Sequence, residues 1–163
     1  MALVELTLTP LPAHVRTARL VVVAAARRAG LDDSLVDELR LALGEAASRA
    51  VGLHVKHAPQ TPVRITVSDE PGGLTITVTD KGPAAGRVTG DLADELLDSD
   101  PDPEDDGVEA LVDPDVALAV LSGLVDEYDV QADDSGTTVT MRWPLPARPV
   151  GVSGPGSTAA SQV

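Results

Sequence analysis

Two short segments with alternating apolar and polar residues constrain the fold most strongly: VRITVSD at 63–69 and LTITVTD at 74–80. Alternation with a period of two is typical of strands that bury one face. Pro71, Gly72 and Gly73 separate the segments and favour a tight turn. We therefore predict an antiparallel hairpin whose apolar face must be covered by other parts of the chain.

Two helical segments precede this hairpin. The first is predicted from Ala13 to Ala29 and ends at Gly30, and the second is capped by Asp32 or Asp33 and runs to about His57. Apolar residues recur at helical spacing in both: Val15, Ala18, Val22, Ala25 and Ala26, then Leu35, Leu39, Ala42, Leu43, Ala46, Ala50 and Leu53. Each helix thus has an apolar stripe that can cover a sheet.

The remaining elements complete an α+β order. A first strand is predicted at 3–9, a third helix starts at Asp113 and Pro114, and two strands at 128–132 and 137–145 flank a turn. The apolar face of the third helix is predicted to contain Val116, Val120, Leu121 and Leu124. We predict a two-layer sandwich over 1–145, with an antiparallel or mixed sheet covered on one face by three helices, and a disordered Gly/Pro/Ser tail over 146–163.

Composition excludes several classes of function. The chain has one Trp, one Tyr and no Phe, which argues for an aliphatic core and against a base-stacking surface for nucleic acid. A formal net charge of −14 opposes direct contact with a phosphate backbone and favours a basic protein partner. The absence of cysteine excludes disulfides and thiolate metal sites. With no signal peptide and no apolar run long enough to span a bilayer, a cytoplasmic protein is expected.

An acidic segment separates the hairpin from the third helix. Residues 91–106 contain nine acidic residues and no basic one. Such a segment is typical of a solvated flexible loop, and a lid or an arm that docks a basic partner is the alternative.

Candidate functional residues lie in the stretch LALGEAASRAVGLH at 41–54. Glu45 and Arg49 are four residues apart and share a helix face, so they form either a surface ion pair or part of a polar site. His54 and His57 lie near the helix end, where cations interact favourably with the helix dipole, and no third metal ligand is evident.

Three motifs in this order resemble those of the GHKL (Bergerat-fold) ATP-binding proteins. They are LALGEAASRAV, TVTDKGPA and DSGTTVTM, and the resemblance covers about residues 3–145. Within that superfamily the chain is similar to the small anti-sigma factors that are also serine kinases.

The resemblance implies a role for each motif. Glu45 matches the acid that activates the attacking nucleophile, and Arg49 replaces an Asn that ligates Mg²⁺. Because a guanidinium offers only hydrogen-bond donors and Mg²⁺ needs oxygen ligands, this replacement implies that Mg²⁺ is repelled and not bound. Asp80 and Gly82 match the adenine-binding motif, with Ala84 in place of its second glycine. ATP or ADP is the implied cofactor.

The last motif and the lid differ in how well they are kept. Gly136, Thr137 and Thr138 match the final element, so the implied cofactor-binding set is Glu45, Arg49, Asp80, Gly82, Thr137 and Thr138. Where the family has a Gly-rich phosphate lid, this chain has an isolated Gly107, and Asp113 and Asp115 lie where a phosphate would approach.

The function implied is that of an anti-sigma factor which binds a sigma factor and is released by an anti-anti-sigma partner, with weakened or lost ATP binding and kinase activity. The alternatives are an active protein-serine kinase and a stand-alone nucleotide sensor. Partner contacts are assigned to Arg16 and Arg19 by resemblance, and to Asp113, Asp115, Asp126 and Glu127 as an acidic surface for a basic sigma-factor domain. Homodimers are common in the resembled family.

Overall fold

A computed structural model describes residues 2–83 and 114–146. Five strands and three helices follow the order β1 (Ala2–Leu8), α1 (Pro12–Ala29), α2 (Asp33–His57), β2 (Val63–Glu70), β3 (Gly73–Asp80), α3 (Pro114–Leu124), β4 (Glu127–Asp133) and β5 (Gly136–Pro144). The predictions for the acidic segment, Ala84, Gly107, Asp113 and most of the tail lie outside the described residues. Every predicted helix and strand is present within about one or two residues of its expected ends.

The strands form one antiparallel sheet in the order β1-β2-β3-β5-β4. The predicted hairpin is β2–β3, in which Val67 pairs with Ile76 and Ile65 with Val78. These apolar side chains are buried beneath the helices, where α2 contacts both β2 and β3. The α+β two-layer sandwich is thereby confirmed, and its sheet is antiparallel rather than mixed.

The core is aliphatic, as the composition predicts. Its largest fully buried side chains include Leu39, Leu43, Ile65, Leu74 and Ile76. Trp143 on β5 is the one buried aromatic residue of the described chain, at 2% exposure. No helix among residues 2–83 and 114–146 is long and apolar enough to cross a membrane.

The helix ends have the predicted chemistry. Gly30 ends α1 with φ of 97°, a left-handed conformation that glycine adopts without strain. Asp32 precedes α2, and its carboxylate accepts a hydrogen bond from the Ser34 backbone N–H at 2.9 Å.

The face predicted for α3 needs correction. Val116 and Val120 are exposed, at 49% and 38%, whereas Ala117 and Leu121 are buried. The sequence PDVALAVLSGL is apolar or small all round, so its periodicity leaves the buried face undetermined. Packing against α2 selects the face that contains Ala117 and Leu121.

Candidate nucleotide site and its surroundings

A buried ion pair joins α2 to the end of β3. Arg49 Nη1 donates to Asp80 Oδ2 at 2.7 Å, and each side chain is only 1% exposed. Arg49 Nη2 lies 3.4 Å from the Thr137 hydroxyl, while its Nε has no hydrogen-bond partner among the described residues. Burying charge is costly unless it is paired, so each partner of this ion pair depends on the other.

The turn after β3 satisfies the second oxygen of Asp80. The backbone N–H of Gly82 donates to Asp80 Oδ1 at 2.9 Å. A Cβ on residue 82 would lie 2.8 Å from Leu53 Cβ, so a side chain there would clash with α2. Both carboxylate oxygens are therefore hydrogen-bonded within the chain, and the group is closed to solvent.

The β4–β5 turn brings β5 against the same point. Gly136 has φ of 138°, and a Cβ at this position would clash with the Asp80 carbonyl oxygen. Asp80 pairs directly with Thr137 in the β3–β5 ladder. The glycine thus allows the segment DSGTTVTM to approach Asp80 closely. Arg49, Asp80, Gly82 and Thr137 therefore lie in one cluster.

Two residues of the predicted set lie outside this cluster. Thr138 points to the other face of the sheet, where its hydroxyl lies 3.5 Å from that of Thr79. Glu45 is partly buried one turn before Arg49 on α2. Of the two alternatives for Glu45 and Arg49, the surface ion pair is not formed, because the buried Asp80 carboxylate binds the guanidinium instead.

His54 on α2 forms hydrogen bonds with the turn that follows Asp80. The sequence pattern predicted instead that His54 is a cation at the helix end, and this prediction needs correction. His54 is fully buried; its Nε2 accepts from the Lys81 backbone N–H at 2.7 Å, and its Nδ1 lies 2.7 Å from the Thr61 carbonyl oxygen. Since Lys81 N–H can only donate, Nε2 carries no proton and Nδ1 donates to Thr61. A neutral imidazole thereby fixes the turn that follows Asp80. His57 is exposed at the helix end.

Arg16 and Arg19 belong to a separate surface between α1 and α2. We call it the arginine groove, a cavity of about 310 Å³ lined by Arg16, Arg19, Leu20, Val23, Ala24, Arg27 and Arg40. Arg27 and Arg40 each form an exposed ion pair, with Asp33 and Asp37. In a chain of net charge −14, this groove concentrates positive charge around a leucine that is 68% exposed.

Gly44, a buried residue of α2, lies against Arg19 of this groove, and sequence reasoning missed it. A Cβ on residue 44 would lie 2.5 Å from Arg19 Nε, so the arginine lies directly against the helix backbone there. Arg19 Nε is buried without a hydrogen-bond partner among the described residues. A glycine inside a helix costs about 1 kcal/mol relative to alanine, which is the signal that could have marked the position.

The cluster around Asp80 does not fit a metal ion. Arg49 supplies only donors, and Asp80 is already bonded to Arg49 and Gly82. No group of three or more His, Asp or Glu is arranged to hold a metal anywhere in the part of the chain that the structure describes. For Asp80 to bind a base, Arg49 would first have to move.

Comparison with known proteins identifies the family. The family model of the histidine kinase-like ATPase domain matches residues 8–143. The solved structure of the RsbU and RsbW domains of Rv1364c from Mycobacterium tuberculosis matches with a TM-score of 0.61 and 20% identity, over 89% of this chain and 33% of that chain. This likeness is one of fold, and the chain spans about a third of that structure. The search of curated proteins found no match. The chain belongs to the histidine kinase-like ATPase (GHKL) family.

Proposed function

We propose that this protein is an anti-sigma-factor-like regulator that acts through protein contacts, with nucleotide binding and kinase activity weakened or lost. The observation that carries this proposal is the 2.7 Å ion pair between Arg49 and Asp80. In the family pattern Asp80 would accept a hydrogen bond from adenine, and residue 49 would supply a metal ligand. Here the two residues bind each other.

The energetic consequence follows from burial. A nucleotide would have to separate a pair whose side chains are 1% exposed, and breaking such a pair costs about 3–5 kcal/mol. If the conformation that can bind nucleotide is disfavoured by that amount, the apparent affinity for nucleotide falls by roughly two to four orders of magnitude. A site of micromolar intrinsic affinity would then bind nucleotide with a Kd of about 0.1–10 mM.

The arginine groove supports a protein partner. Exposed Leu20 beside Arg16 and Arg19 combines an apolar anchor with guanidinium groups that bind carboxylates in a planar, two-bond geometry. A partner that presents acidic and apolar side chains fits this groove. We assign the arginine groove to contact with the sigma factor or with the anti-anti-sigma partner. If both proteins bind to this one surface, their competition would release the sigma factor. Such partners are intracellular, so the proposed location is the cytoplasm.

An active serine kinase is the second candidate, and Glu45 favours it. This carboxylate forms no hydrogen bond or ion pair within the described residues, so it remains free to act as the base that would accept the proton of a partner serine hydroxyl. If Arg49 swings away from Asp80 and ATP binds, the γ-phosphoryl group of ATP would pass to that serine oxygen and ADP would leave.

Calorimetric titration with ATP and ADP, with and without Mg²⁺, tests the nucleotide half of the proposal. We expect no saturable binding by the wild type below about 0.1 mM and tighter binding by Arg49→Asn, which frees Asp80 and restores an oxygen ligand. Arg40→Asn, an exposed change on the same helix, serves as the control, and circular dichroism checks that each variant is folded. Micromolar binding by the wild type would contradict the proposal.

Partner binding and phosphate transfer need a second measurement. The protein is mixed with candidate sigma factors and anti-anti-sigma proteins of the same genome, and complexes are quantified alongside phosphoserine. Arg16→Glu and Arg19→Glu should abolish complex formation, whereas Arg28→Glu, on the same helix but outside the groove, should not. Phosphoserine formation would instead establish the kinase, and nucleotide binding without transfer or a partner would leave a sensor.

A further inference from the structure

A glycine inside α2 lies opposite the end of an arginine side chain of α1. Gly44 is buried in the helix interior, where alanine would favour the helix more than glycine does, because glycine loses more backbone entropy on folding. The three atoms nearest to a Cβ built on Gly44 all belong to the guanidinium of Arg19. Arg19 therefore fills the space that the missing methyl group leaves open.

The guanidinium meets this glycine with one of its edges. From a Cβ on Gly44, Arg19 Nε would lie at 2.5 Å and Cζ at 2.8 Å, and Nη2 would also be closer than Cζ. Because two nitrogens lie nearer than the central carbon, the Nε–Nη2 edge of the planar group faces Gly44. Arg19 Nε is buried there without a hydrogen-bond partner among the described residues. Nη1, on the opposite side of the group, is directed away from α2.

The remaining edge of the guanidinium is available to a ligand in the arginine groove, which Arg19 lines together with exposed Leu20. Arg27 and Arg40 are each paired with an acid, whereas Arg19 forms no ion pair within the described residues. A guanidinium can bind both oxygens of a carboxylate in a planar geometry. If its orientation is fixed beforehand, less side-chain entropy is lost on binding. Arg19 is thus preorganised for a carboxylate.

The contact at Gly44 differs from the contacts at two other glycines. At Gly82 an added Cβ would meet the Cβ of Leu53, and at Gly136 it would meet backbone atoms. Neither neighbour can move without moving the chain. At Gly44 the neighbour is the far end of a flexible side chain, so an added methyl group would displace the guanidinium of Arg19 at little cost to the fold. The orientation of the arginine therefore depends on this glycine more than the fold does.

We propose that Gly44 is a positioning residue of the arginine groove. Its missing side chain lets Arg19 lie edge-on against α2, so that the Nη1–Nη2 edge binds a carboxylate of an acidic partner segment. This role rests on the proposed use of the groove for partner contact, and it makes Arg19 the residue that selects a carboxylate.

NMR of the arginine Nε–H groups tests the proposal on the isotope-labelled full-length protein, and Arg19→Ala identifies the Arg19 signal by its loss. The protein is titrated with the blocked peptide acetyl-Glu-Leu-Leu-Glu-amide. A matched peptide carries Gln in place of each Glu, which removes the charge and keeps the shape. We expect a saturable shift of the Arg19 signal in the millimolar range with the acidic peptide and a response at least about tenfold weaker with the Gln peptide. Equal responses, or no response to either peptide, would overturn the proposal.

Variants separate positioning from a structural role. Gly44→Ala should unfold in urea at or above the midpoint of the wild type, move the Arg19 signal towards those of exposed arginines, and weaken acidic-peptide binding at least about tenfold. Gly44→Ala/Arg19→Ala should bind no more weakly than Arg19→Ala, because the glycine acts through the arginine. Gly123→Ala on α3, where a Cβ would meet open space, is the matched helix control and should bind as the wild type does.

Two results with the variants would also overturn the proposal. Unchanged peptide binding by Gly44→Ala would show that the glycine does not orient Arg19. A loss of stability in Gly44→Ala that persists in the Arg19→Ala background would show that the glycine serves helix packing. The peptide response requires neither a sigma factor nor a nucleotide, so failure to find a partner complex would reject the proposed function and leave this result unaltered.

Discussion

Arg49 and Asp80 lie 31 residues apart in the sequence, and a 2.7 Å hydrogen-bonded ion pair joins them where neither side chain meets solvent. The first prediction follows from this mutual dependence. Arg49→Met and Asp80→Leu should each destabilise the protein by about 3–5 kcal/mol, because each leaves one buried charge unpaired. The double variant should lose much less than the sum of the two, as urea unfolding would measure.

The exposed pair Asp37–Arg40 is the matched control for this cycle, since its atoms are 3.2 Å apart on the surface of α2. Removing either partner there should change the free energy of unfolding by less than about 1 kcal/mol. Strictly additive losses at Arg49 and Asp80 would mean that the pair contributes no coupling.

The second prediction concerns His54. Replacement by Phe keeps a ring but removes both hydrogen bonds, which leaves the Lys81 N–H and the Thr61 carbonyl without partners. A buried polar group left without a partner costs roughly 1–3 kcal/mol, and these two groups are partly buried, so His54→Phe should be destabilising by up to about that amount for each lost bond. His57→Phe, at an exposed site, should change stability by about 0.5 kcal/mol or less. Nitrogen NMR of the wild type should find the proton of His54 on Nδ1; a proton on Nε2 would contradict the assignment.

The third prediction compares two glycines with positive φ. Gly72 has φ of 93° and open space where a Cβ would lie, whereas Gly136 has φ of 138° and directly faces the Asp80 backbone. Gly72→Ala should cost about 1–2 kcal/mol from backbone strain alone. Gly136→Ala adds a steric clash with backbone atoms, so its loss should exceed that of Gly72→Ala by at least about 1 kcal/mol. Equal losses in thermal or urea unfolding would argue against close contact between β5 and the turn.

The fourth prediction concerns pH. Hydrogen bonds from the Ser34 side chain and then from its backbone N–H hold the pKa of Asp32 below its ordinary value of 3.8. A lowered folded-state pKa stabilises the protein above the unfolded pKa, and this contribution is lost as the pH falls through the lower folded value. Asp32→Ala should therefore be less stable than the wild type at pH 7, and the difference should shrink below about pH 3.8. A difference that stays constant from neutral pH to strong acid would contradict ionisation of the cap.

The sequence predicted the elements well, because local rules govern them. The hairpin from Val63 to Asp80 follows from alternation and its Pro-Gly-Gly turn, and the ends of α1 and α2 follow from Gly30 and Asp32. The buried face of α3 could not be predicted, since Val116 and Ala117 are both apolar and only contact with α2 distinguishes them.

The contacts within the candidate site were harder to predict from the sequence, because they join segments that are far apart in the chain. Motif resemblance brought Arg49, Asp80 and Thr137 into one set, but their bonds to each other depend on how β5 meets β3. One local signal was present. Arg49 lies in the apolar stripe between Ala46 and Leu53, so its helical position already indicated burial and hence a buried counter-charge.

The closed pair also constrains how this lineage can change. Exchanging either Arg49 or Asp80 alone lowers stability, since the remaining charge would be left unpaired in the interior. Asp80 already matches the family pattern, so Arg49→Asn alone would restore the family pair, at a cost that a gain of stability elsewhere would have to offset. The interior contact thus ties the two positions together, and a change at one should be accompanied by a change at the other or by a stabilising substitution elsewhere in the chain.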